Sequence, residues 1–279
     1  MIVTEQLSKR YSGGNYALRE LTITASRKVT SIIGRNGAGK TTLIRILSTQ
    51  LLPSGGRATV EGFDVVSEAH EIRKRIVSIP QEAAPIGILT AFEQVKMYLV
   101  GRGYSFKEAG ESANKALDQL ELRESKNEPT DTLSGGMKRK MFVAMALAAN
   151  ADVVFLDEPT TGLDPLSRLE VWSAIRQIDS RVILTTHYME EAEQLSDEVI
   201  LIERGQSLEQ GTPSELVSRF SGKVRVETAE RCDGCIHVGN ISIMYVDRTR
   251  ADEYIDRGYT VRPATLEDIF ISRGVEIES

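Results

Sequence analysis

Apolar runs rich in β-branched residues alternate along the chain with stretches of helical periodicity, which is the pattern of a parallel sheet flanked by helices. Lys28-Val29-Thr30-Ser31-Ile32-Ile33 reads as a buried strand that runs straight into a glycine-rich turn. The helix Thr42-Leu43-Ile44-Arg45-Ile46-Leu47 follows, and Pro53-Ser54-Gly55-Gly56 stops it. Asp152 to Leu156 and Arg181-Val182-Ile183-Leu184-Thr185-Thr186 read as two further buried strands. Residues 91–149 are helical in pattern, most clearly over 91–99 and 107–122. A helical insertion inside an α/β core is therefore expected. After Glu215 the texture changes, and Val224-Arg225-Val226 and Ile241-Ser242-Ile243-Met244-Tyr245-Val246 look like short strands of a small appended region.

Composition narrows the classes of function. A hydrophobic share of 41% over 279 residues supports a sizeable core. The net charge of −6 argues against a general polyanion binder, so no nucleic-acid partner is expected. The amino terminus, Met1-Ile2-Val3-Thr4-Glu5-Gln6, lacks the layout of a secretory signal, and the longest apolar stretch, residues 141–149, is far shorter than a membrane span. A cytoplasmic chain is expected, with any membrane role exerted through a partner. Cys232 and Cys235 read as a reduced pair in a turn, because with His237 they offer three metal ligands where a zinc site wants four.

Chemistry is concentrated in a few stretches. Gly34-Arg35-Asn36-Gly37-Ala38-Gly39-Lys40-Thr41-Thr42 matches the phosphate-cradling pattern G-x-x-x-x-G-K-[ST]. Its backbone N–H groups, from Gly34 and Asn36 through Gly37, Ala38 and Gly39, form a concave cradle for phosphate oxygens. Lys40 would reach the β- and γ-phosphates, and the Thr41 hydroxyl would ligate Mg²⁺. Asp157 closes a buried strand, where a carboxylate is costly unless it meets a cation, and Glu158 follows it directly. Ser134-Gly135-Gly136 is a small-residue turn opening a helix, able to present a hydroxyl, N–H groups and a helix dipole to an anion. The adjoining Lys138-Arg139-Lys140 reads as a solvated face.

The P-loop, the turn Leu133-Ser134-Gly135-Gly136-Met137 and the run Val153-Val154-Phe155-Leu156-Asp157-Glu158 together resemble the ATP-binding cassette of ABC transporters. The tail Pro263-Ala264-Thr265-Leu266-Glu267-Asp268-Ile269-Phe270-Ile271 resembles that of cassettes serving drug- and polysaccharide-type exporters. The resemblance implies an α/β fold: a P-loop NTPase core with a parallel sheet, an N-terminal antiparallel β region, an inserted helical subdomain at about residues 82–149, and a small C-terminal α+β appendage. The nucleotide-binding domain would span residues 1–215 and the appendage 216–279. ATP and Mg²⁺ are the implied cofactors. The implied partners are a second cassette, most simply an identical one, and a separate transmembrane permease that would hold the chain at the inner face of the cell membrane.

The resemblance also implies roles. Glu158 would polarise the attacking water, Asp157 would serve Mg²⁺, and Gln81 would contact both Mg²⁺ and the water. His187 would hold the γ-phosphate, Thr42 would touch the α-phosphate, and Tyr11 would stack on adenine. Ser134, Gly135 and Gly136 would bind the γ-phosphate held by the opposite subunit, with Asp164 in the loop that crosses the dimer interface. Met137 and Arg35 depart from the commonest residues at their positions, Gln and Pro, and neither carries the main phosphate contacts. Two rival readings are a soluble cassette ATPase acting on ribosomes or nucleic acid, and a non-hydrolysing regulatory module. The single cassette and acidic balance weigh against the first, and the presence of Glu158 and His187 against the second.

Overall fold

The computed structural model describes residues 1–272. It contains two compact units, the first running Met1–Leu208 and the second beginning at Glu209.

The first unit opens with β1 (Ile2–Arg10) and β2 (Tyr16–Ala25), followed by the fully buried β3 (Val29–Ile33) and by α1 (Lys40–Leu47). Next come β4 (Gly55–Val60), β5 (Phe63–Asp64), α2 (Ala69–Arg75) and β6 (Ile76–Ile79). The helices α3 (Ala91–Gly101), α4 (Phe106–Gln119) and α5 (Gly135–Ala148) then run in succession. Thr90 and Ser105 each cap their helix and pair reciprocally with Glu93 and Glu108, which settles where α3 and α4 begin. The unit is completed by β7 (Val153–Asp157), α6 (Pro165–Arg176), β8 (Arg181–Thr186), α7 (Met189–Leu195), β9 (Glu198–Glu203) and β10 (Gln206–Gly211), the strand in which the first unit ends.

An antiparallel sheet of order β2-β1-β4-β5 stands beside a six-stranded sheet of order β10-β9-β3-β8-β7-β6. The central strands pair in parallel, with Ile33 opposite Thr186, Asp157 opposite Thr185 and Ile79 opposite Leu156. Each of these strands therefore ends at the same edge of the sheet. The residues that follow them are delivered to one place, as expected at the carboxyl edge of an open α/β sheet. The five residues of β7 are all buried, which is why it reads as a continuous apolar run rather than an alternating one. Among the described residues no helix is long and apolar enough to cross a membrane.

In the second unit, α8 (Pro213–Val217) precedes β11 (Lys223–Thr228), β12 (Ile236–Val238), β13 (Ile241–Asp247), α9 (Ala251–Ile255), β14 (Thr260–Pro263) and α10 (Glu267–Ser272). The strands form one sheet of order β12-β13-β11-β14. The largely buried Arg225 reaches Glu267 at 3.1 Å and the fully buried Asp268 at 3.4 Å, while the Tyr245 hydroxyl donates to Asp268 at 2.7 Å. These contacts fasten α10 to the sheet. Cys232 and Cys235 are joined as a disulfide, which corrects the expectation of a reduced pair. The turn with Gly234 at φ +78° brings their Cα atoms to 5.6 Å, inside disulfide range.

Candidate nucleotide-binding site

The strand ends assemble a cleft of about 270 Å³ lined by Ala17, Asn36, Gly37, Gly39, Lys40, Thr41, Thr42, Gln81 and Glu158. Its floor is the turn between β3 and α1. Gly39 caps α1 with φ +107°, and a Cβ there would come within 2.5 Å of the Ala17 carbonyl in β2. Only glycine therefore lets the turn pack so closely while the first N–H groups of α1 stay directed outward. Lys40 is 5% exposed, and its ammonium donates to the Gly34 carbonyl at 2.7 Å and to that of Arg35 at 3.3 Å. It also stands 3.4 Å from Glu158 Oε1.

Glu158 is the hub of the cleft. It is buried, and its backbone adopts φ +50°, a left-handed conformation that costs a side chain about 1–2 kcal/mol. Its N–H donates to the Thr185 hydroxyl at 3.0 Å, which anchors the turn leaving β7. Its Oε2 accepts from Gln81 Nε2 at 3.2 Å and from the Thr161 hydroxyl at 3.1 Å. His187 Nδ1 lies 3.3 Å from the same oxygen without the alignment of a hydrogen bond. Asp157, 2% exposed, accepts a hydrogen bond from the Thr185 hydroxyl. That one hydroxyl thus spans both consecutive acids.

Tyr11 stands outside the cleft lining, 44% exposed, with its hydroxyl 3.3 Å from the Thr42 hydroxyl. Ser134, Gly135, Gly136 and Asp164 are likewise not among the cleft-lining residues. Ser134 is exposed and caps α5, its hydroxyl accepting from the Met137 N–H at 3.2 Å. Asp164 caps α6 by accepting from the Ser167 N–H at 3.0 Å and the Leu166 N–H at 3.1 Å. Its bonding to Ser167, side chain first and backbone next, holds its carboxyl below the ordinary range.

The tertiary structure adds residues to which the motifs assign no role, namely Ala17, Thr161, Thr185 and Arg139. It also corrects the reading of residues 138–140 as a solvated face. Lys140 is buried and ion-paired with Glu170, and Arg139 Nη2 donates to the Gln81 carbonyl at 3.2 Å. Three consecutive helical residues span most of a turn, so a helix packed on one side has to bury at least one of them. Behind the cleft, the fully buried Glu191 accepts from the Thr160 hydroxyl at 2.7 Å and from Trp172 Nε1 at 3.0 Å. Burial pushes its carboxyl above the ordinary range, against the bonds from Thr186, Thr160 and Trp172 and the charge of Arg168.

A phosphate cradle at a sheet edge, two acids closing the neighbouring strand, and a capped Ser-Gly-Gly turn on an inserted helical segment define the class: this is an ATP-binding cassette. The sequence profile of the ABC transporter family matches residues 19–161, and the chain belongs to that family. It is 42% identical over 199 residues to the daunorubicin/doxorubicin resistance ATP-binding protein DrrA of Streptomyces peucetius, covering 70% of this chain and 60% of that relative. It is 38% identical over 225 residues to the daunorubicin resistance ATP-binding protein DrrA3 of Streptomyces coeruleorubidus, covering 79% of this chain and 71% of the relative. Its fold matches an ATP-binding cassette solved as a dimer in a post-hydrolysis state with ADP and Pi, with a TM-score of 0.70 and 25% identity over 76% of this chain and 98% of that one.

Proposed function

We propose that the chain hydrolyses ATP as the motor subunit of an exporter, closing as a dimer around two nucleotides and driving a separate transmembrane permease. The observation that carries this reading is the convergence of Lys40, Gln81 and His187 on the buried Glu158 beside the phosphate cradle. In it, the backbone of residues 34–39 and the Lys40 ammonium hold the β- and γ-phosphates, Thr42 meets the α-phosphate, and Tyr11 stacks on the base. Glu158 accepts a proton from the water that attacks the γ-phosphorus as the bond to the ADP oxygen breaks. Gln81 orients that water, and His187 holds the γ-phosphate. Ser134, Gly135 and Gly136 read the γ-phosphate on the second copy, with Asp164 at the interface.

The donor set also fits Mg²⁺, since the Thr41 hydroxyl, the Gln81 amide oxygen and the Asp157 carboxylate are hard oxygen ligands. Asp157 is buried with one oxygen engaged by Thr185, which leaves a negative charge for a cation to offset. When bound, the ion would neutralise charge on the phosphates. Residues 1–215 form the nucleotide-binding domain in this reading, with the helical subdomain at about 82–149 and residues 216–279 appended. The resistance functions in the relatives' names favour a drug-like cargo and a place at the inner face of the membrane, held there by the permease.

The test is the Glu158→Gln variant. Hydrolysis is expected to fall by about 100-fold or more while ATP binding persists, and Mg-ATP should convert the variant to a dimer in sedimentation velocity. Retention of wild-type hydrolysis, or a protein that binds ATP tightly yet stays monomeric, would sink the proposal.

A further inference from the structure

The helix α5 serves two directions at once. Its cap, Ser134, is exposed, while Arg139 lies five residues further along the same rigid element. At the helical rise and rotation the two are about 7.5 Å apart along the axis and point about 140° apart. Arg139 meets this chain's own loop that carries Gln81. Its Nη2 donates to the Gln81 carbonyl at 3.2 Å, and its Nη1 is buried with no hydrogen-bond partner among the described residues. Burial pushes its guanidinium below the ordinary range, and the nearby charges of Glu158 and then Asp157 oppose that shift.

The loop that holds Gln81 has a second tether. In α1, Arg45 Nη2 donates to both carboxylate oxygens of Glu82, at 3.1 and 2.9 Å. That pair is open to solvent, with Glu82 71% exposed, so it contributes little. Arg139 is the tether made in low dielectric, where charge interactions are strong.

Resting on the function proposed above, we propose that Arg139 is a positioning residue that couples the Gln81 loop, whose side chain reaches Glu158, to the orientation of the Ser134 turn offered to the second copy. When Lys40 turns to an incoming triphosphate it relinquishes its contact with Glu158. Arg139 keeps α5 tied to the Gln81 carbonyl, so α5 follows the Gln81 loop. Because α5 moves as one body, occupancy of the chain's own site fixes the pose of Ser134. Each copy thereby becomes a good partner only once it is itself loaded.

The experiment uses the full chain with a non-hydrolysable ATP analogue and compares wild type, R139Q and R139K. Analogue affinity is measured at protein concentrations where the chain is monomeric, dimerisation by sedimentation velocity, and folding by thermal melting. For R139Q, analogue affinity is expected to stay within about twofold of wild type while dimerisation needs about tenfold more protein. R139K, which keeps the charge but loses the planar fork, should fall between the two. Dimerisation of R139Q equal to wild type overturns the inference, as does a parallel loss of analogue binding, which would mean only a damaged cleft. If the glutamine variant does not fold, R139K decides by the same comparison. A wild-type chain that does not dimerise with the analogue, together with an E158Q chain that does not dimerise with ATP, refutes the dimer reading itself and the inference with it.

Discussion

Gly39→Ala is expected to damage the protein far more than Gly37→Ala, although both glycines sit two residues apart in one turn. Both have positive φ, +107° at Gly39 and +80° at Gly37. An added Cβ at Gly37 meets nothing within 4 Å, so its cost is that of the backbone alone, about 1–2 kcal/mol. At Gly39 the same carbon would lie 2.5 Å from the Ala17 carbonyl oxygen and 2.8 Å from Leu18 Cδ2. The leucine has rotamers to use, whereas the carbonyl belongs to a paired strand and cannot turn aside. Overpacking of that kind adds about 1–3 kcal/mol, for a total of about 2–5 kcal/mol. In a unit of this size each kcal/mol moves the melting temperature by about 2–4 °C, so the expected losses are about 2–8 °C for Gly37→Ala and about 4–20 °C for Gly39→Ala. Thermal unfolding by circular dichroism without nucleotide reads this difference directly. Calorimetric titration with ATP below the transition should also show weakened binding for Gly39→Ala, because relieving the clash displaces the N–H groups that open α1. Melting temperatures for the two variants within about 1 °C of each other would refute the claim that close packing on β2 dictates the glycine.

Substitutions at Glu191 and at the Lys140–Glu170 pair probe the surroundings of the cleft. The carboxyl of Glu191 titrates above its ordinary value in the fold, so its contribution to stability is complete below the unfolded value of about 4.3 and declines as pH rises through the folded one. Glu191→Gln keeps an acceptor for Thr160 and Trp172, and should melt no lower than wild type at about pH 8, with the difference shrinking as pH falls toward that unfolded value. A variant that melts well below wild type at alkaline pH would show that the charged form is needed. Lys140→Met leaves Glu170 uncompensated in a poorly solvated place and should cost up to about 3 kcal/mol, most of it recovered in Lys140→Met/Glu170→Leu. Equal losses in the single and double variants by urea unfolding would contradict a desolvated pair.

The phosphate cradle was legible from the residues alone because its determinants are local. Glycines that permit positive φ, a buried strand before them and a helix after them all lie within about 20 consecutive residues, counted as a strand, a turn and a helix of ordinary length. Asp157 and Glu158 were legible for the same reason, two acids ending an apolar run. The strand ends of β3, β7 and β8 also follow from periodicity, since buried parallel strands are continuous apolar segments. The convergence of Gln81, Glu158 and His187 is different in kind. It depends on strand order, which places residues from separate segments at one edge, and no local pattern encodes that order. The role of Thr185 toward both acids needs β7 and β8 in register, and the disulfide of Cys232 and Cys235 needs the turn between them. The run at residues 138–140 shows the limit most plainly. By composition it is a charged surface, yet Lys140 is buried against Glu170 and Arg139 reaches the Gln81 loop. Charge alone says that such side chains need a partner; only the packing of α5 onto α6 and the cleft decides which one, because those partners are brought near by tertiary contacts between segments far apart in the chain.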